Sequence, residues 1–290
     1  MMPRYPVFII SKSRWDTRLT AKSFERAGIP FRIVVEPQEV KQYSAVIDPK
    51  KIIVTPFSNL GQGSIPVRNF VWELAVEEGH ERHWVADDNV DGLWRLNNNL
   101  KLRVETGSTL RAMEDWSDRY ENVGLTAPNY FMFASRKTKV APLTLNTRCY
   151  SCILVNHALD GVLQERWRGR YNEDTDLSLR VLKAGWCTAL FNAFLILKQT
   201  TMSMQGGNTD ELYAGTNQGK KEDDGRWKMA ESLRLQHPDV VKVGWKWGRF
   251  QHVVNYEPFK SNKLILRPDI AALLKDGEND YGMTLLDTGA

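Results

Sequence analysis

The sequence predicts an α/β fold in which helices flank a mixed, mainly parallel sheet within a single domain. Short apolar runs of four or five residues alternate with longer amphipathic segments through the first 90 residues, the order typical of successive strand–helix units. The chain of 290 residues is long enough to bury one large core, and it contains no internal repeat and no Pro-, Gly- or Ser-rich linker.

The first elements are continuous apolar runs separated by helical patterns, as expected when both faces of a sheet are covered. Asp16 is a candidate helix cap, and Gly28 followed by Pro30 ends the first helix. The predicted strands are residues 6–10, 31–35 and 51–54, and the predicted helices between them are 16–27 and 37–43.

A loop with two glycines, 61–64, precedes a helix over residues 70–78, which Gly79 ends. The next strand is 83–86, so Asp87 and Asp88 follow its carboxyl end directly. Open α/β sheets bind their ligands at that edge.

The second half alternates helices and strands less regularly. We expect helices over 97–120, 174–184 and 225–236, strands over 123–125, 152–155 and 188–197, and a strand-like region over 240–256. The polar segment 201–225 is a candidate mobile loop that could close over a substrate. The predicted domain is 1–260, and 261–290 is a tail that packs on the domain or is partly mobile.

Charge and cysteine content restrict the class of protein. The 39 basic and 35 acidic residues give a net charge of +4, which permits an anionic partner without requiring one. Cys149, Cys152 and Cys187 lack a second pair that would complete a zinc site, so we expect reduced thiols. No signal peptide or membrane span is visible, and the predicted location is the cytoplasm.

The tripeptide Asp87-Asp88-Asn89 is the first candidate site. Adjacent carboxylates at the end of an apolar run need a cationic partner or water. Mg²⁺ and Mn²⁺ favour carboxylate oxygens together with substrate phosphates. Turns are also rich in Asp and Asn, so a solvated turn is the alternative.

The second candidate is the acidic run 172–176, which follows the basic and aromatic run 166–171. Acidic side chains at a helix start can interact with the positive end of the helix dipole. A carboxylate there can also act as a general base. The two interpretations are compatible.

Two further segments could bind ligands. Arg68-Asn69 near a helix start favours a phosphate or carboxylate, although no Walker or dinucleotide fingerprint is present, and an ordinary surface arginine explains it equally well. The segment 245–252 interleaves aromatic and basic residues. It could stack on bases or sugars, or it could be a half-buried strand; His252 at its end is a metal ligand or a structural histidine.

Taken in order, these motifs resemble the GT-A glycosyltransferases, which have a Rossmann-like fold. Within that group the chain is most similar to the TET/JBP-associated glycosyltransferases of phages, a family associated with glycosylation of 5-hydroxymethylpyrimidines in DNA. The resemblance covers most of residues 5–256, and it rests on the segments IISKSRWD, VRNF, VADDNVDG, NEDTDLSLRVLKAGW and GRFQHVVNY.

The resemblance implies roles for individual residues. Asp174 would be the catalytic base, with Glu173 beside it. The nucleotide of the donor would be held by Ser11, Arg14, Arg68, Asp87 and Asp88. The metal ligands would be Asp87, Asp88, Asn89 and His252, with Asn89 replacing the second Asp of the family's DxD motif.

The resemblance also implies the other components of the reaction. The expected cofactor is Mn²⁺ or Mg²⁺, and the expected donor is a nucleotide sugar, with a UDP-sugar favoured. The expected partner is DNA containing 5-hydroxymethylcytosine or 5-hydroxymethyluracil, modified by a phage protein in the host cytoplasm. Two alternatives stay open: a glycosyltransferase acting on a glycan or small molecule, and an inactive DNA-binding or interaction module. Only DNA affinity should fall steeply with salt.

Overall fold

A ten-stranded sheet with helices on both faces forms the centre of the computed structural model, which describes residues 1–136, 140–199 and 224–273, with side chains up to residue 270. Its strands are β1 (Val7–Ile10), β2 (Arg32–Val35), β3 (Ile52–Val54), β4 (Arg82–Asp87), β5 (Val90–Asn97), β6 (Leu100–Val104), β7 (Val123–Tyr130), β8 (Leu143–Leu145), β9 (Cys152–Asn156) and β10 (Cys187–Lys198).

The helices and a separate hairpin complete the fold. The helices are α1 (Leu19–Arg26), α2 (Val40–Ser44), α3 (Ile65–Glu77), α4 (Ser108–Ser117), α5 (Glu173–Lys183), α6 (Gly225–Gln236) and α7 (Pro268–Leu273). The hairpin strands are β11 (Val241–Lys246) and β12 (Arg249–Val254). Short 3₁₀ turns lie at Pro37–Glu39, Pro49–Lys51, His157–Gly161 and Glu257–Ser261.

The strand order is β3-β2-β1-β4-β9-β7-β10-β5-β6, with β8 paired to β10. The first four strands of that order run parallel. β9 is antiparallel to both of its neighbours, and β10 is parallel to β7 but antiparallel to β5. The predicted mixed α/β sheet is therefore confirmed, with parallel pairing concentrated in the half built from the first four strands.

Alternate residues of the central strands fill two cores. In β1, Val7 and Ile9 belong to the core beneath α1 and α4, whereas Phe8 and Ile10 belong to the core beneath α3 and α5. Side chains alternate between sheet faces along a strand, so a strand buried on both faces is apolar throughout. This is the physical reason that β1 was recognisable in the sequence.

The prediction of helix over 97–120 was wrong in its first part. Residues 90–104 form the hairpin β5–β6, and the helix α4 begins only at Ser108. Asn98 and Asn99 both have positive φ, 47° and 64°, the conformation of a tight type I′ hairpin turn that Asn tolerates. The two asparagines were the available signal for a turn.

Two helix starts also differ from the predictions. α1 begins at Leu19 after Arg18, whose side chain makes no cap bond, so Asp16 is not the cap. α3 begins at Ile65 and includes Pro66 in its first turn, because proline is tolerated where the amide needs no helical partner. Arg68 therefore lies inside the helix.

The start of the predicted tail packs on the domain. Asn262 Nδ2 donates to the carbonyl oxygens of Leu182 and Trp186, each at 2.8 Å, and the backbone of Glu121 donates to Ile265. The boundary at residue 260 stays a prediction.

Two further observations concern the cysteines and the length of the helices. The three cysteines are free and buried, as predicted. No helix in the described ranges has the length and apolar character needed to cross a membrane. Of the predicted loop 201–225, all but the last two residues lie outside the described ranges.

Candidate active site

The turn Asp87-Asp88-Asn89 connects β4 to β5 beside the carboxyl end of β1. Ile10 pairs with Asp87 in the parallel register of these strands, which brings the segment after β1 next to the turn. Thr20 of α1 fixes the turn, because its hydroxyl donates to the Asp87 carbonyl at 2.5 Å and accepts from the Val90 amide at 2.9 Å.

Asp88 is held by the segment that follows β1. Its side chain accepts from Ser11 Oγ at 2.9 Å and from Arg14 Nη1 at 2.5 Å, and the residue is only 6% exposed. Burial raises the pKa of Asp88, and Arg14 and Ser11 offset only part of that effect. Three predicted donor-binding residues therefore form one contact group.

Asp87 lies between two cations from distant parts of the chain. Arg68 Nη2 is 2.8 Å from Oδ1, and Lys198 Nζ is 2.8 Å from Oδ2. Burial raises the pKa of Asp87, but the charges of Lys198 and Arg68 outweigh it, so the net pKa is lowered. Asp87 is consequently an anion across the working range of pH.

Arg68 connects the turn to the second acidic cluster. It is 3% exposed, its Nε atom lies 3.3 Å from Glu173 Oε1, and its guanidinium lies over the Trp167 ring at 4.8 Å. The Nη1 atom is buried without a hydrogen-bond partner in the described part of the chain. A buried, unused guanidinium donor suits an anionic ligand.

Glu173 and Asp174 occupy the first turn of α5 but have different surroundings. Glu173 Oε1 accepts from Ser64 Oγ at 2.8 Å and faces Arg68. Burial raises the pKa of Glu173 despite the opposing charge of Arg68. Asp174 Oδ1 accepts from the amide of Thr175 at 2.7 Å. Glu173 therefore holds Arg68, whereas no cation is seen in direct contact with Asp174 in the described ranges.

The negative charge of Asp174 raises the pKa of two cations of the site, Arg148 and Lys198. Burial lowers the pKa of Arg148, but Asp174 is the strongest opposing influence and the net pKa is raised. Burial also lowers the pKa of Lys198, but Asp87, Tyr130 and, less strongly, Asp174 outweigh it and the net pKa is raised. Asp174 and Asp87 thus both favour the charged form of Lys198.

His252 contacts Arg148. Its Nε2 atom lies 3.2 Å from Arg148 Nη1, and burial together with the Arg148 charge lowers the pKa of His252 to about 4. The imidazole is therefore neutral at neutral pH. The hydrogen-bond partner of His252 among the described residues is Arg148, and the role of His252 as a metal ligand stays a prediction.

The turn itself has the chemistry of a site for a hard divalent cation. Asp87 and Asp88 supply carboxylates, and Oδ1 of Asn89 is buried without a hydrogen-bond partner in the described ranges. Such oxygens are the ligands that Mg²⁺ and Mn²⁺ prefer. No group of three or more His, Cys, Asp or Glu among the described residues is placed to hold a metal ion, so metal binding stays a prediction.

Sequence reasoning missed two cations of the site. Lys198 is the last residue of the long apolar strand β10 and also donates to Ser151 Oγ at 2.7 Å. A charged residue at the end of an apolar run was the sequence signal for a site residue, as it was for Asp87. Arg148 lies within a polar segment before β9 and gave no comparable signal. Its guanidinium contacts His252, 104 residues away in the sequence.

Comparison with known proteins identifies a family whose match includes most residues of this site. Residues 5–207 match the family described as TET-Associated Glycosyltransferase, a range that contains the residues around Asp88, Asp87 and Arg68 and both acidic clusters. No curated protein matches the sequence.

One similar solved structure is described as a nucleotide-diphospho-sugar transferase from Desulfovibrio desulfuricans. It has 9% identity and a TM-score of 0.38, and the match covers 66% of this chain and 80% of that one. A match at this level does not by itself establish a shared function. The family match spans most of the chain, and this glycosyltransferase therefore belongs to the TET-associated glycosyltransferase family.

Proposed function

We propose that this protein transfers a sugar from a nucleotide-sugar donor, with a UDP-sugar favoured, to the hydroxyl of a 5-hydroxymethylpyrimidine in DNA. The observation that carries the proposal is the position of Arg68, which contacts Asp87 at 2.8 Å and Glu173 at 3.3 Å. One buried cation thereby unites the strand-end turn and the helix start that the reaction needs.

Arg68 is suited to the diphosphate of the donor. Its unpaired Nη1 atom can donate to a phosphate oxygen while Nη2 and Nε keep their carboxylate contacts. Arg14 and Lys198 add two more cations around the same turn. Negative charge develops on the diphosphate as it leaves, and fixed cations stabilise that charge.

A divalent cation would add to this stabilisation. Asp87, Asp88 and Asn89 would hold it, and His252 stays the predicted fourth ligand. When bound, such an ion neutralises charge on the two phosphates of the leaving group.

Asp174 is proposed as the base. In the transfer, the acceptor hydroxyl oxygen forms a bond to the anomeric carbon of the sugar, the bond from that carbon to the diphosphate oxygen breaks, and the hydroxyl proton passes to Asp174. The amide of Thr175, at 2.7 Å from Oδ1, orients the carboxylate. Oδ2 of Asp174 has no hydrogen bond in the described ranges, which leaves it available for the acceptor.

The DNA acceptor is supported by the family description and by the basic side chains of the hairpin β11–β12, which are Lys242, Lys246 and Arg249. The hydroxymethyl group of a modified pyrimidine is a poor nucleophile until a base removes its proton. A carboxylate close to cations that bind the donor meets that requirement.

Mass spectrometry of nucleosides tests the proposal. The protein is incubated with hydroxymethylated DNA and a panel of nucleotide sugars, and the DNA is then digested. A mass gain equal to one hexose on the hydroxymethylated nucleoside is expected. No gain with any donor, alongside transfer to a glycan acceptor, would overturn the DNA assignment and retain a glycosyltransferase.

A further inference from the structure

The hairpin β11–β12 presents two tryptophans to solvent. Trp247 is 78% exposed and Trp245 is 60% exposed, and Trp245 meets Phe250 edge to face at 4.7 Å between ring centroids. Single exposed apolar residues are common, but large aromatic rings grouped at one hairpin tip mark a binding surface.

The base of the hairpin is fixed to the domain. Val241 and Val254 pack with Leu233 of α6 and with Leu182 of α5. A Cβ atom at Gly244 would lie 2.9 Å from Val253 Cγ2, so the two strands approach closely there. The tip is therefore presented from a rigid support.

The turn at the tip is costly for tryptophan. Trp247 and Gly248 have φ of 52° and 70°, the pattern of a type I′ turn, in which Asn and Gly are the usual residues. A bulky residue in this conformation is strained, and strain of this kind concentrates at functional positions. The ring of Trp247 is exposed, so packing in the core does not explain its presence.

The charged side chains of the hairpin are all basic. Residues 240–254 include Lys242, Lys246 and Arg249 and no acidic residue. No salt bridge links these three to a carboxylate among the residues that the structure describes, and Arg249 Nε is buried without a hydrogen-bond partner there. Lys246 and Arg249 pair across the strands next to the turn that carries Trp247, so cations and an exposed aromatic ring are adjacent at the tip, as phosphates are adjacent to bases.

The hairpin is continuous with the candidate active site. His252 lies three residues after Arg249 on β12, about 10 Å along an extended strand. Its ring contacts Arg148, a cation of the candidate site, at 3.2 Å. β12 therefore connects the hairpin tip to the candidate site.

We propose that the hairpin tip binds unpaired nucleotides, with Trp245 and Trp247 stacking on bases and Lys242, Lys246 and Arg249 contacting phosphates. The inference rests on the proposed function only in identifying those nucleotides as neighbours of the modified base in the acceptor. Binding itself requires no modified base, no sugar donor and no catalysis. A neutral glycan would use the rings but not the three cations, so the charge favours nucleic acid.

Fluorescence anisotropy with unmodified DNA tests this inference. The full chain is titrated against a fluorescein-labelled single strand and against the matching duplex, at low and moderate salt. We expect the single strand to bind more tightly, and Trp247→Ala to weaken single-strand binding by about tenfold. Trp247→Phe should restore most of the loss, because any aromatic face can stack.

Leu235→Ala is the matched control, since Leu235 is 66% exposed on α6 outside the hairpin. It should leave DNA binding unchanged. Circular dichroism melting of each variant checks that the fold is kept. Unchanged single-strand affinity in both Trp245→Ala and Trp247→Ala would overturn the inference, as would tryptophan-dependent, salt-independent binding of maltoheptaose in place of DNA.

The same measurements separate this inference from the proposed function. Tryptophan-dependent DNA binding without sugar transfer to hydroxymethylated DNA would overturn the proposed function alone. Sugar transfer that persists with unaltered DNA affinity in the tryptophan variants would overturn the hairpin inference alone.

Discussion

Arg68 and Asp87 form an ion pair in which Nη2 lies 2.8 Å from Oδ1, although they belong to different elements, α3 and β4. Arg68 is almost fully buried, so the pair is only weakly screened by solvent. The same guanidinium faces Glu173. The three residues thereby fix the relative positions of the turn after β4 and the start of α5.

Replacement of Arg68 by lysine should impair donor binding. Lysine keeps the charge but loses the planar fork that reaches Asp87, Glu173 and a phosphate together. Charge-assisted hydrogen bonds contribute about 1.5–3 kcal/mol each, so we expect kcat/KM to fall by roughly 10- to 100-fold with a matching rise in the donor Kd by calorimetry. Arg32→Lys, in the more exposed pair with Glu78, is the control. Unchanged donor affinity in Arg68→Lys would contradict the assignment.

Asp174→Asn should abolish sugar transfer while leaving donor binding intact. An amide cannot accept the hydroxyl proton, and general base catalysis contributes about 100- to 10,000-fold. Steady-state kinetics and donor titration measure the two effects separately. Asp160→Asn, which removes an exposed carboxylate paired with Arg166, is the matched control. An Asp174→Asn enzyme with wild-type turnover would refute the base assignment.

Removal of divalent cations should slow transfer. Excess chelator is expected to reduce activity, and Mn²⁺ or Mg²⁺ to restore it, because a hard cation neutralises the leaving diphosphate. Calorimetry with Mn²⁺ alone supplies a readout independent of activity, and Asn89→Ala should weaken the binding because it removes the unpaired Oδ1 atom. Full activity in excess chelator would eliminate the metal from the mechanism.

Asp176 should make stability depend on pH. Burial raises the pKa of Asp176, but His237 at 2.8 Å and Arg180 at 2.7 Å outweigh it and lower the pKa from 3.8 to about 2. The unfolded chain therefore binds more protons between these values. The contribution, roughly 2 kcal/mol, is complete above about pH 5 and is lost as the pH falls toward 2.

Urea denaturation of Asp176→Asn and wild type measures this effect. The difference in unfolding free energy should be largest at pH 7 and smaller at pH 3. Asp239→Asn, which alters an exposed carboxylate paired with Lys183, should change stability much less. A difference that stays constant with pH would show that the charge of Asp176 is not its source.

Much of the central sheet could be predicted from local pattern. β1 is apolar at every position, and β2 and β4 contain the apolar stretches 33–35 and 84–86, because both sheet faces are covered there. The hairpin β5–β6 could not be predicted this way, since its outer strand is largely exposed and lacks that signal. Its turn depends on Asn98 and Asn99, whose left-handed conformations the surrounding strands select.

The sequence by itself determined which polar residues follow the strands and begin the helices, because short-range periodicity fixes where an apolar run ends. It thereby identified Asp87, Asp88, Arg68 and Asp174 as candidates. Only the tertiary structure decided how they pair. Lys198 contacts Asp87, 111 residues away in the sequence, and His252 contacts Arg148. These pairs form because long-range packing of β10 and β12, and not local sequence, determines which charged groups lie together in the buried site.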